Sequence, residues 1–73
     1  MYTQAEAMEI AKTEFAKHGR SVAAYELRVE QYTADEQQWI VWFTPKGPLP
    51  TPGDTHAVLV HKWTGQATFM QGE

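Results

Sequence analysis

Trp39-Ile40-Val41-Trp42-Phe43 decides the fold: five consecutive large apolar residues, each β-branched or aromatic. The run is too short to form a helix of its own and suits a strand buried on both faces. A single helix laid on a single sheet covers only one face of such a strand. The other face meets water, a second copy of the chain or a partner, and that unmatched face is the first pointer to function. Trp39 and Trp42 have opposite parity, so one faces the helix and the other faces out.

The strand is predicted over about residues 38–44, because Pro45 follows and proline cannot donate to a sheet ladder. All four prolines of the chain lie in Pro45-Lys46-Gly47-Pro48-Leu49-Pro50-Thr51-Pro52-Gly53-Asp54. Fixed φ angles make this loop stiff and extended rather than helical. It reads either as a protruding loop that presents Leu49 to a partner or as a plain linker between strands. Ten residues is long for a hairpin, and long loops in small domains are more often functional.

Beyond the loop, residues 56–62 and 66–70 read as strands joined through Thr64-Gly65. In such a hairpin Val58 and Val60 share a face with Ala67 and Phe69. Leu59, His61 and Trp63 lie on the other face with Thr68 and Met70. The valine–phenylalanine face is expected to meet the helix, and Gln71-Gly72-Glu73 to form a frayed tail.

Before the central run, Thr33-Ala34-Asp35-Glu36-Gln37 is a polar turn. Tyr25, Leu27 and Val29 alternate with Glu26, Arg28 and Glu30, which predicts a half-buried strand over about 25–32. Ser21–Ala24 is a short connection. Residues 4–18 hold good helix formers with no proline or glycine, and Gly19 stops them. Thr3 with Glu6 has the capping-box spacing. Ala7, Met8, Ile10, Ala11 and Phe15 fall on one side of that helix. Glu14 lies inside this arc, one turn from His18. The pair reads either as a buried carboxylate–imidazole couple or as a Glu reaching solvent beside a frayed His. The second is favoured, since long charged side chains readily snorkel.

The fold class is therefore α+β: one N-terminal helix on a four-stranded antiparallel meander, in two layers and one domain spanning 1–73. A chain of 73 residues buries only about 60% of its unfolded surface, so its stability is modest. It has no cysteine, hence no disulfide and no thiolate site. It has no apolar run long enough to cross a bilayer and no signal-peptide pattern, which makes a cytoplasmic chain the expectation unless a leader has been removed. The formal charge is −3 and the six basic residues are scattered, which argues against nucleic acid.

No cofactor, metal or catalytic residue is expected. His56 and His61 have opposite parity, His18 is on the helix, and no zinc spacing occurs. Ser21 is the single serine and lacks nucleophile-elbow glycines, and Asp35-Glu36 sits in a solvated turn. What remains is an aromatic surface. Trp42, Leu59, His61 and Trp63, or Leu49 on the proline loop, are the interface candidates, since Trp and Met are enriched in interface cores. The face contacts another protein, pairs with a second copy, or is covered by the tail and proline loop. A sugar site of stacked tryptophans ranks last, because no convergent Asp/Asn/Gln set is evident.

Residues 5–16, Trp39-Ile40-Val41-Trp42-Phe43 and Val58-Leu59-Val60-His61-Lys62-Trp63-Thr64-Gly65-Gln66-Ala67 together carry a resemblance. The chain resembles small bacterial domains of the peptidase-propeptide (PepSY-like) type. It is more similar still to short immunity-protein domains predicted to neutralise papain-fold peptidase toxins. The resemblance implies a non-enzymatic inhibitor or immunity protein that occludes a partner. The alternative is a homodimeric structural or accessory domain with no dedicated target. The helix-on-sheet arrangement is also similar to cystatins, but their Gln-x-Val-x-Gly loop is absent, and Tyr32-Thr33-Ala34-Asp35-Glu36-Gln37 stands in the first hairpin.

Overall fold

The structure, a computed structural model, describes residues 1–46 and 56–70. Most of the proline loop, Leu49 included, and the tail 71–73 lie outside the described residues.

Helix α1 spans Gln4–Lys17. Both halves of the capping box form: Glu6 N–H donates to Thr3 Oγ1 at 3.2 Å and Thr3 N–H to Glu6 Oε1 at 2.9 Å. Gly19 follows the C-cap residue His18 with φ +77°, the left-handed conformation that glycine adopts without strain. Ala7, Ala11 and Phe15, spaced four apart, are fully buried, with Ile10 packed beside them. The two alanines let the helix lie close to the sheet, and Phe15 fills the space at its far end.

A single 3₁₀ turn at Val22–Ala24 leads into β1, Tyr25–Gln31, followed by β2, Gln38–Pro45, β3, His56–His61, and β4, Ala67–Met70. The sheet is antiparallel throughout, in the order β1-β2-β3-β4. The expected α+β meander is the observed architecture, with element ends shifted by one residue. Tyr32 leaves the end of β1 and packs on the sheet face away from the helix.

Register decides the two faces. Val41 pairs with Val29 on one side and Val58 on the other, and Trp39 pairs with Val60. These residues, with Phe43, Tyr25, Leu27, Ala67 and Phe69, meet α1 in the main core. Phe15 stacks on Phe43 at 4.0 Å between centroids and 12° between planes, while Tyr25 meets Phe15 edge-on at 5.0 Å. Ile40, Ala57 and Leu59 form a second, smaller cluster on the opposite face, flanked by Tyr32 and Trp42. The central run is thus buried on both faces, although one helix covers only one of them.

Among the described residues, no helix is long and apolar enough to cross a membrane.

Candidate functional site

Three segments converge at one end of the sheet: the N-terminus, the β1–β2 turn and the β3–β4 turn. Tyr2 joins the first to the third, because its N–H donates to the Lys62 carbonyl at 2.7 Å and its carbonyl accepts from Trp39 Nε1 at 3.0 Å. Lys62 N–H donates to the Gln37 carbonyl at 2.8 Å. The Lys62 ammonium lies 4.3 Å from the centre of the Trp39 ring and donates to Gln31 Oε1.

The β1–β2 turn is held from inside. Asp35 Oδ1 accepts from Gln37 N–H at 2.9 Å, and its Oδ2 accepts from Gln38 Nε2 at 3.0 Å. These bonds keep the Asp35 carboxyl below the usual carboxylate range, the Gln37 backbone N–H contributing most, then the Gln38 amide. Gln31 Nε2 faces the carbonyls of Tyr32, Glu36 and Gln38 at 3.1, 3.2 and 3.3 Å. The β3–β4 turn is held by His61, whose Nδ1 accepts from the N–H groups of Trp63 at 3.2 Å and Thr64 at 3.3 Å. Two amide donors at Nδ1 place the hydrogen of the neutral ring on Nε2.

On this frame lies an open cleft of about 340 Å³, lined by Met1, Gln31, Glu36, Gln37, Lys62 and Trp63. Trp63 is 62% exposed, yet its Nε1 donates to Gln37 Oε1 at 2.7 Å, so the indole is both accessible and oriented. Met1 is the other strongly exposed apolar residue at this end. Its lining residues bring one aromatic ring, the Met1 side chain, two amides, two ammonium groups (Lys62 and the Met1 N-terminus) and one carboxylate. Such a set recognises by stacking, charge and hydrogen bonding.

The sequence-predicted candidates divide. Trp63 is exposed as expected and sits in the turn after β3. His61 is on the face away from the helix, opposite Gln38, and serves the turn. Leu59 is a correction: it was expected on an exposed patch and is only 8% exposed. Its strand lies inside the sheet, so Ile40 and Thr68 flank it in register and Tyr32 and Trp42 pack on its cluster. Trp42 is half-buried on the same face, with Nε1 donating to Glu30 Oε1 at 3.0 Å, and Glu30 pairs with Arg28 at 3.0 Å. Leu49 lies outside the described residues.

The histidines part as their spacing requires: His56 is buried among Phe15, Tyr25 and Phe69 on the helix side, opposite His61. Glu14 and His18 do meet, at 3.1 Å, but both remain partly exposed. His18 is not frayed, because its ring stacks on Phe69 at 4.3 Å. Sequence reasoning missed Met1, Gln31, Glu36, Gln37 and Lys62 as neighbours of Trp63. Thirty residues separate Gln31 from Lys62, and neither carries a periodic signal.

Compared with protein-family models, curated proteins and solved structures, the chain matches none.

Proposed function

We propose that this chain is a non-enzymatic protein-binding domain that acts by occluding a partner protein, in the manner of an immunity protein or inhibitor. One observation carries the reading: Trp63 is 62% exposed while its indole N–H is held by Gln37. A tryptophan anchored at its polar edge and open elsewhere has little rotamer freedom left to lose on binding. Tryptophan is also among the residues most enriched at interface hot spots. The resemblance to immunity-protein domains for peptidase toxins points the same way.

A sheet-to-sheet homodimer is the second reading. The exposed Met70 and half-buried Trp42 on the face away from the helix favour it. It has less to gain than the sequence implied, because Ile40, Ala57 and Leu59 are already buried within one chain.

The test has two parts. Light scattering across a wide concentration range reads the oligomeric state: a monomer is expected, and a dimer at every concentration moves the reading to self-association. The immobilised chain and its Trp63→Ala variant are then compared as baits. The reading expects proteins retained by the first and lost by the second. Identical retained sets, or none, overturn it.

A further inference from the structure

The two edges of the sheet differ. β4 has four residues, whereas β1 has seven, each paired with β2 and without a bulge. Tyr32 N–H donates to the Gln38 carbonyl and Lys46 N–H to the Ala24 carbonyl, which fixes the phase of the ladder. Glu26, Arg28 and Glu30 turn their backbone groups to β2, and Leu27, Val29 and Gln31 turn theirs away from it. Among the described residues no backbone group meets these outward N–H and C=O groups. Short length, proline and bulges commonly block the addition of a further strand, and β1 has none of the three.

The side chains say which strand fits. Leu27 and Val29 are half-buried on the helix side, at the rim of the main core, and Glu26, Arg28 and Glu30 lie on the other side. The charge order, acid-base-acid, reads the same in both directions. A second copy laid antiparallel along the whole edge therefore sets Glu26 against Glu30 twice and Arg28 against Arg28. Registers that bring Glu against Arg lose part of the overlap. A strand of order base-acid-base instead meets all three charges, and apolar residues between them cover Leu27 and Val29. Arg28 already holds Glu30 at 3.0 Å, so the gain is greatest opposite Glu26, whose carboxylate has no ion pair among the described residues. We infer that β1 receives an extended segment of a partner protein, added antiparallel as a fifth strand, in which apolar residues alternate with a basic, an acidic and a basic residue opposite Glu30, Arg28 and Glu26. This rests on the protein-binding reading and names the form and chemistry of the segment the partner brings.

The experiment is a titration of the full chain with the peptide acetyl-Thr-Lys-Val-Glu-Val-Lys-Thr-amide, followed by backbone NMR and amide hydrogen exchange. The Leu27 and Val29 N–H signals are expected to shift, saturate and exchange more slowly. The same peptide with both valines N-methylated keeps every side chain but loses the donors opposite Leu27 and Val29, and its binding is expected to be lost. The charge-reversed peptide acetyl-Thr-Glu-Val-Lys-Val-Glu-Thr-amide inverts the three cross-strand pairs and is expected to bind about tenfold more weakly. No saturable shift at Leu27 and Val29 with the first peptide overturns the inference, as does equal binding by either control. Exchange at those two amides that slows with rising protein concentration, in the absence of peptide, assigns the edge to a second copy and overturns it too. The bait comparison is independent: where Trp63→Ala still releases a partner but the peptide leaves β1 untouched, the edge assignment falls and the protein-binding reading stands.

Discussion

The ring of Tyr2 lies directly over Gly65: a Cβ built on Gly65 would sit 2.8 Å from Tyr2 Cζ and 2.9 Å from its Cε2 and Oη. Gly65 also has φ +76°, so two separate constraints act on one position. Gly19 offers the control, with φ +77° and nothing within 4 Å of a would-be Cβ. Gly19→Ala is expected to cost about 1 kcal/mol, from the left-handed backbone alone. Gly65→Ala is expected to cost more, because the Tyr2 ring must also move. The excess is moderate, since a ring end can swing aside. Urea melts of both variants, repeated in a Tyr2→Ala background, separate the two parts. The excess at Gly65 should vanish once the ring is gone.

Phe15 is the contact on which α1 depends. Its ring is fully buried, stacked on Phe43 and met edge-on by Tyr25. Phe→Ala in a core costs about 3–5 kcal/mol. A domain of 73 residues has about 4–11 kcal/mol in total. Phe15→Ala should therefore remove about a quarter or more of the total stability, visible as a strongly lowered urea midpoint read by helical circular dichroism. Thr3→Ala, which removes half of the capping box, should lower the melting midpoint only slightly, at a cost of about 1 kcal/mol.

Elements whose causes lie in local spacing were legible in the sequence. Thr3 and Glu6 stand at capping-box distance, Gly19 ends the helix, and residue parity sorts Val58, Val60, Ala67 and Phe69 onto one face. Parity gives direction, however, and says nothing about cover. Leu59 points away from the helix as read, but its burial comes from Ile40, Thr68, Tyr32 and Trp42, which meet it only once the register is set. The cleft at Trp63 was hidden for a related reason. It is assembled from the N-terminus, the end of β1 and two turns, and periodicity along one strand does not place Gln31, Gln37 and Lys62 together. Tyr2 gave no signal either, because its backbone hydrogen bonds could be made by almost any residue and its ring meets Gly65 only once the chain is folded.

Asp35 makes the β1–β2 turn sensitive to acid. Its folded carboxyl titrates below the ordinary value of 3.8, chiefly through the Gln37 N–H and then the Gln38 amide, and to a smaller extent through the charges of His61 and Lys62. A depressed carboxyl contributes stability that is present above its unfolded pKa and is lost as pH falls through the lower, folded value. Wild type and Asp35→Asn are compared by chemical denaturation from neutral pH downward. The wild-type advantage should hold through neutral pH and shrink below about pH 4, closing once Asp35 is protonated in both states. A difference between the two proteins that is flat down to strong acid would show that the charge of Asp35 is not what stabilises the turn.

Leu59 and Trp63 were read from sequence as two parts of one exposed face, and the structure gives them opposite roles. Leu59 is buried with Ile40 and Ala57, so Leu59→Ala opens a cavity and should cost about 2 kcal/mol or more. Trp63 is exposed, and Trp63→Ala removes one hydrogen bond at the surface, so its cost should stay under about 1 kcal/mol. The order of the two melting midpoints checks this directly: Leu59→Ala well below wild type, Trp63→Ala close to it. That order also decides how a binding experiment is read. Loss of a partner in Leu59→Ala would follow from a weakened fold, whereas loss in Trp63→Ala, with its midpoint unchanged, would follow from the surface itself. If Trp63→Ala proved the more damaging of the two, Trp63 would be a structural clamp between the two turns, and the contact surface would have to be sought elsewhere.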